Sequence, residues 1–413
     1  MKKLLQAIIN KADKRGISKH RAFEEFIEDT FQTITEKKQL TEMDFIYLDT
    51  VEQNPFEDVF EYICVEIGYF NKHLDQFMTP ASTTATLIFN SQHREALDPS
   101  CGTGVNGLVM LAKMFVEHTP IFNGEELPLL VPQFLRNTLT LHLNDVSEMM
   151  CKMSFIQNIA NYNVHCARMF ELDLLITKNN TITEWESDLK VIFKSYVSKQ
   201  NFTRLCDASK DLIILNPPYS LKDYGYKYAK ENTHQERFND YIPAKGDCLS
   251  AFMLSAIDLM SNTGECFMIL PNSVNFSNNC EYVRKLVLNQ SMMECNIALP
   301  PKLFSETGIP TVAWCLNKRK IFDRIFLIKA DDRKDAFDFL KNNTALTVFK
   351  GKLNKLVFDN TDAPTISKND FDFVNLENNF TPTVYDIKQN NKVIDEQKLL
   401  ALALKQNELK KEE

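Results

Sequence analysis

The stretch Leu212–Tyr219, LIILNPPY, decides how the rest of the chain is read. Its four apolar residues form the pattern of a buried strand. They run into a Pro-Pro pair that neither a strand nor a helix interior accepts, because proline fixes φ and lacks an amide donor. The strand therefore ends at Asn216, and Asn216, Pro217, Pro218 and Tyr219 make a rigid turn that is rich in carbonyl acceptors and poor in donors. Other short apolar runs also end in turn residues: EALD (95–98), TLHLND (140–145), ECFMILP (265–271), ECNIALP (294–300) and TVAWCL (311–316). Helical periodicity lies between several of them, over 107–115, 147–160 and 248–260. Alternating strands and helices predict an α/β fold with a mostly parallel sheet covered on both faces. Such a sheet binds its ligands at the carboxyl ends of the strands.

The chain has 413 residues, 44% hydrophobic and 25% charged, the composition of an ordinary globular protein. The opening MKKLLQAIIN carries too short an apolar run for a signal peptide or a membrane span, and no later run reaches spanning length. Ten cysteines are scattered without a CxxC or a Cys/His cluster, which argues against structural zinc and disulfides and for reduced thiols in a cytoplasmic protein. The net charge of −8 excludes a general nucleic-acid coat, but not a local basic groove. Two segments run against it: 1–23 with seven Lys/Arg, and 315–360 with eleven Lys/Arg against six Asp. Solvated helix and loop faces account for both equally well.

At the first strand end, ALDPSCGTGVNGLVMLAKMF reads strand, glycine turn, helix. Gly102, Gly104 and Gly107 match GxGxxG, a spacing that brings a nucleotide close to the backbone and that close packing alone also explains. No Lys-Ser/Thr follows, so the turn is not a phosphate loop of the Walker type. Asp98 is placed to hold a cationic amino group rather than a pyrophosphate. Asp145, closing the next strand, can accept from both ribose hydroxyls. The two acids suit a nucleoside that carries an amino acid, and S-adenosylmethionine is such a molecule.

The turn at Asn216–Tyr219 arrives at the same sheet edge. The Asn216 side-chain oxygen and the Pro217 carbonyl give two acceptors held together, and Tyr219 gives a flat face for stacking. A planar group bearing an NH2, such as adenine, fits. Accepting from both N–H groups draws that nitrogen toward tetrahedral geometry and frees its lone pair for attack on a sulfonium methyl. Alignment and preorganised electrostatics suffice for this, without a metal or a covalent nucleophile.

With these motifs in this order, residues 55–330 resemble the N6-adenine DNA methyltransferases, and among them the modification subunits of type I restriction systems and their solitary relatives. QFMTP (76–80) resembles the element ahead of the glycine loop, DPSCGTG (98–104) the loop itself, and NPPY the catalytic tetrapeptide. The segments 246–273 and 297–318 resemble the helix and strands that complete the sheet. The resemblance implies a Rossmann-like S-adenosylmethionine-dependent methyltransferase fold, with a seven-stranded, mostly parallel sheet and an N-terminal helical domain. It implies S-adenosylmethionine binding by Phe77, Thr79, Pro80, Asp98, Pro99, Cys101, Gly102, Gly104 and Asp145, with Asp173 of FELDLL near the cofactor's adenine. A capping role explains Asp173 equally well. Met78 stands where relatives have an aromatic residue, and VNGL where they have Gly-Gly-aromatic-Leu.

The implied domains are a helical unit at 1–72, the methyltransferase domain at 73–330 and a C-terminal region at 331–413 ending in a charged helix. The implied partners are double-stranded DNA and, in a type I system, separate specificity and restriction subunits, with no membrane. The same NPPY chemistry serves enzymes that methylate a protein glutamine amide or an rRNA base. A non-catalytic DNA-binding or assembly subunit could keep the fold, but it has no need of Asn216, Pro217, Tyr219, Asp98 and Gly104 together. Cytosine-C5 chemistry is disfavoured because no Pro-Cys dipeptide occurs.

Overall fold

The structure, a computed structural model, describes residues 1–69, 81–88, 91–119, 121–122, 125–126, 136–196, 198, 200–219, 221–299, 308–319, 324–329 and 365–367. QFMTP with Phe77, Thr79 and Pro80, most of the basic stretch 315–360 and the charged C-terminal helix expected from the sequence lie outside these residues.

Four helices occupy the first 67 residues: α1 (Lys2–Arg15), α2 (Lys19–Thr35), α3 (Glu42–Gln53) and α4 (Val59–Ile67). Local chemistry sets their limits. Ser18 accepts from the Arg21 amide to start α2, and Thr41 and Asp44 form a reciprocal capping box on α3. Left-handed Gly16 and Gly68 end α1 and α4. Phe23, Phe26 and Ile27 share the buried face of α2. Helices α2, α3 and α4 pack onto α7 (Glu148–Asn161), with α1 against α2 and α3: Phe31 meets Phe155 at 5.3 Å between ring centroids, and Lys152 Nζ lies 2.6 Å from a Glu28 carboxylate oxygen.

The remaining elements are α5 (Ala81–Ile88), β1 (Glu95–Asp98), α6 (Val105–Glu117), β2 (Thr138–Asn144), β3 (Glu171–Thr177), β4 (Val191–Lys194), β5 (Lys210–Leu215) and α8 (Tyr226–Glu231). After them come α9 (Leu249–Leu259), β6 (Met260–Pro271), α10 (Glu281–Asn289), β7 (Met293–Ala298), β8 (Thr311–Asn317), β9 (Arg324–Lys329) and β10 (Thr365–Ser367). All ten of these strands form one sheet, in the order β10-β9-β7-β8-β6-β5-β1-β2-β3-β4. The strands β6, β5, β1, β2 and β3 run parallel, and β8 lies antiparallel between β6 and β7. The inner seven, from β7 to β3, match in number the seven-stranded sheet that the family resemblance implies. The count is ten rather than seven because β4, β9 and β10, of four, six and three residues, extend both edges.

From β1 the chain builds outward through β2 and β3, then crosses back to add β5 and β6 on the other side of β1. The turns after β1 and β5 thus leave adjacent strands in opposite directions, the topological switch at which open α/β sheets open a crevice. Helices α6 and α9 are buried along almost their whole length, as expected of apolar helices enclosed by further layers. Among the described residues, no helix is long and apolar enough to cross a membrane, and no cluster of His, Cys, Asp and Glu is suited to a metal.

Candidate active site at the carboxyl edge of the sheet

Asp98 ends β1 with only 2% of its surface exposed. Its carboxylate accepts from the Ser100 amide at 3.0 Å and from Asn106 Nδ2 at 2.7 Å, while Asn106 Oδ1 accepts from Thr84 of α5 at 2.9 Å. Burial raises the Asp98 pKa to about 7, against the lowering effect of these bonds, and the neighbouring Asp145 charge adds to the rise. Asp145, just past β2, is also buried. It accepts from the Gly102 amide at 3.0 Å and from the Ser147 amide at 2.8 Å, and burial raises its pKa as well. Two buried carboxylates therefore lie near each other at the ends of neighbouring strands, and no cation among the described residues forms an ion pair with either. Such a pair is costly until a cation arrives. Carboxylate oxygens at these two positions can accept hydrogen bonds from a cationic amino group and from ribose hydroxyls.

Two of the three glycines are required by packing. Gly104 has φ 94°, and a Cβ there would stand 2.4 Å from Ser154 Oγ and 2.8 Å from Ser154 Cα. A Cβ at Gly107 would meet Asn158 Oδ1 at 2.4 Å. Both glycines let α6 lie against α7, so the packing explanation accounts for them. Pro99 and Cys101 are held rather than presented. Asn144 Nδ2 donates to the Pro99 carbonyl at 3.1 Å, the Cys101 amide donates to the Asn144 carbonyl at 2.8 Å, and burial raises the Cys101 thiol pKa far above its usual value. Thr103 of the same turn donates to buried Asp58, which also accepts from Gln157 Nε2 at 2.9 Å. Through Asp58 the N-terminal helices grip the glycine turn.

Across the switch, the Asn216 side chain is half-buried at the end of β5, and its backbone carbonyl accepts from Ser100 Oγ at 3.3 Å. The Pro218 carbonyl accepts from Cys248 Sγ at 3.0 Å. Bonds on both sides thus bracket the Pro217 carbonyl, and the two turns meet as the sequence predicts. Tyr219 differs from expectation: it is 5% exposed and part of the core, so its ring is not presented as an open stacking face. Burial drives its phenol pKa well above the usual range.

Asp173 is not brought to this edge. It lies inside β3, paired with Thr140, four residues before the strand ends at Thr177. At about 3.3 Å per residue that is roughly 13 Å below the ligand edge. Its carboxylate accepts from Ser195 Oγ at 3.3 Å and Gln200 Nε2 at 3.2 Å. ELDLLIT is a buried strand with one acid in it, neither a cap nor a cofactor contact. Asn144 was not singled out in the sequence, yet it is fully buried and donates to the Pro99 and Asn179 carbonyls and the Thr181 hydroxyl. Its only sequence signal is its place beside Asp145 at a strand end.

The fold defined by these elements is that of the S-adenosylmethionine-dependent methyltransferases. It is similar to a Listeria monocytogenes protein assigned to class I of that group, with TM-score 0.50 over 86% of this chain and 98% of that one, at 15% identity. Residues 51–369 match the N-6 DNA Methylase family, and the chain belongs to that family. The type I restriction enzyme MpnII methylase subunit of Mycoplasma pneumoniae is 27% identical over 337 residues, 77% of this chain and 54% of that protein. The HindI methylase subunit of Haemophilus influenzae is 31% identical over 116 residues, 28% of this chain and 26% of that protein. The chain spans about half the length, or less, of these curated relatives.

Proposed function

We propose that this protein transfers a methyl group from S-adenosylmethionine to the N6 amine of an adenine in DNA. The observation that carries the reading is the meeting of two unlike turns across one strand switch. One brings two buried carboxylates with no cation of their own, and the other an asparagine and proline carbonyls. When bound, S-adenosylmethionine supplies an electrophilic methyl. The chain's residues supply the rest. Asp98 holds the ammonium, Asp145 the ribose, and Asn216 with the Pro217 carbonyl accepts the two N–H groups of the target amine. Rigid prolines keep those acceptors in place, which is preorganisation rather than acid–base chemistry.

A duplex adenine must leave the stack to reach this site, at a cost of a few kcal/mol. The relatives named as methylase subunits of type I restriction enzymes support a role as the modification subunit, with the recognition sequence read by a separate specificity subunit.

The reading is tested by incubating the chain with S-adenosylmethionine and unmethylated DNA, alone and with a specificity subunit of a type I system. The DNA is then digested and assayed for N6-methyladenine by mass spectrometry. Product in either mixture supports the proposal, and product from the chain alone removes the need for a partner. Methyl transfer to a glutamine amide or to RNA, with none to DNA, would overturn it.

A further inference from the structure

Beyond the motifs, Arg237 is a buried charge in the segment between the proline turn and α9. It is 3% exposed, and no carboxylate bonds to it among the described residues. Its Nη1 donates to the Thr181 carbonyl at 2.9 Å and to Ser255 Oγ of α9 at 2.8 Å. Its Nη2 donates to the Ile182 carbonyl at 2.7 Å and its Nε to Gln235 at 3.0 Å. The guanidinium carbon lies 4.3 Å from the ring centroid of Trp185 and 4.3 Å from that of Phe238. Burial lowers its pKa to about 9. A cation buried at this cost and directed at two successive backbone carbonyls fixes the chain that carries them.

That chain, residues 178–185 after β3, reaches the glycine turn. Thr181 Oγ1 donates to the Pro99 carbonyl at 2.6 Å, next to Asp98. Ser100 then bonds to the Asn216 carbonyl, and Asn216 leads through the proline turn back to Arg237. The loop closes on itself: Arg237, Thr181, Pro99, Ser100, Asn216. A second contact presses the same two segments together. Gly225 sits at φ 95°, and a Cβ there would meet Thr183 Cγ2 at 2.2 Å.

We infer that Arg237 is a positioning residue, which locks the Thr181–Ile182 segment onto the glycine turn and so sets the spacing between the cofactor side and the target side of the site. This rests on the proposed methyl transfer for its purpose, but its physical content is a coupling within the chain alone.

Three variants test it: Arg237→Lys, Thr181→Val and the double variant. The first keeps the charge but loses the fork, and the second removes one hydroxyl at constant shape. Hydrogen exchange on the full chain without cofactor reads the coupling directly. The expected result is faster exchange at the Cys101 and Asn179 amides in each single variant, with α2 and α7 unchanged. S-adenosylmethionine affinity, measured by calorimetry, should fall about tenfold in each, and the double variant should lose little more than the worse single one. Unchanged exchange at 99–104 in both variants, or losses spread evenly over the whole fold, would overturn the inference and reduce Arg237 to a support of local stability. A wild-type chain that binds no S-adenosylmethionine would instead overturn the proposed function, leaving the exchange result to decide the coupling.

Discussion

The glycine turn after β1 and the proline turn after β5 lie side by side at one sheet edge and are built on opposite principles. In the first, amides are plentiful and already engaged: Ser100 N on Asp98, Gly102 N on Asp145, Cys101 N on the Asn144 carbonyl. What it offers a ligand is negative charge. In the second, two consecutive residues have no amide hydrogen at all, and what it offers is neutral acceptors. In the proposed reaction the two turns divide the work, charge complementarity for the cofactor and lone-pair alignment for the target. The difference also shows that the glycines of the first turn serve helix packing as much as any ligand.

Gly104→Ala probes that last point and should have the largest effect. The new Cβ meets the Ser154 backbone, which cannot swing aside, and φ 94° is itself unfavourable for alanine. A loss of about 2–4 kcal/mol is expected in denaturant unfolding, with or without cofactor. If Gly104→Ala unfolds like the wild type and only cofactor binding suffers, the glycine belongs to the ligand after all.

Asp98 sharpens the charge side of the comparison. In the folded chain without cofactor it keeps its proton to about pH 7, whereas its ordinary value is 3.8. The folded state thus binds more protons in that window, so the stability contributed by neutral Asp98 is complete below about pH 4 and is lost as pH rises through about 7. Binding an ammonium requires the ionised form, so S-adenosylmethionine affinity should rise with pH up to about 7, by as much as about tenfold per unit, and then level off. Asp98→Asn should flatten both profiles, as seen by titration calorimetry and thermal unfolding over the same pH range. A wild-type affinity independent of pH would remove the ammonium from Asp98.

The smallest effect is expected at Asp173. Because it lies inside β3, Asp173→Asn should leave cofactor affinity within about twofold and cost about 1 kcal/mol of stability through its bonds to Ser195 and Gln200. A tenfold weaker affinity would mean that the cofactor reaches farther down the sheet than the strand ends.

The sequence made the parallel sheet and its two site turns legible because strand ends there are marked by residues with strong local preferences, Asp-Pro and glycine after β1 and Pro-Pro after β5. It did not make β3 legible, because the acid in ELDLLIT breaks the apolar run while its carboxylate is satisfied by residues 22 and 27 positions away. Asn144 and Arg237 were hidden for the same reason. Each is a polar residue whose partners come from distant segments, and QERFND reads as a solvated loop. The burial of Tyr219 was equally invisible, since an aromatic after Pro-Pro packs inward or faces a ligand with the same local sequence.

The division of work between the two turns is tested most directly by measuring cofactor affinity and methyl-transfer rate side by side in Asn216→Ala and Asp98→Ala. The account predicts that Asn216→Ala binds S-adenosylmethionine like the wild type and transfers about 10²–10³-fold more slowly. It predicts that Asp98→Ala loses affinity first. An Asn216→Ala variant that transfers at the wild-type rate, or that fails only because it no longer binds cofactor, would contradict it.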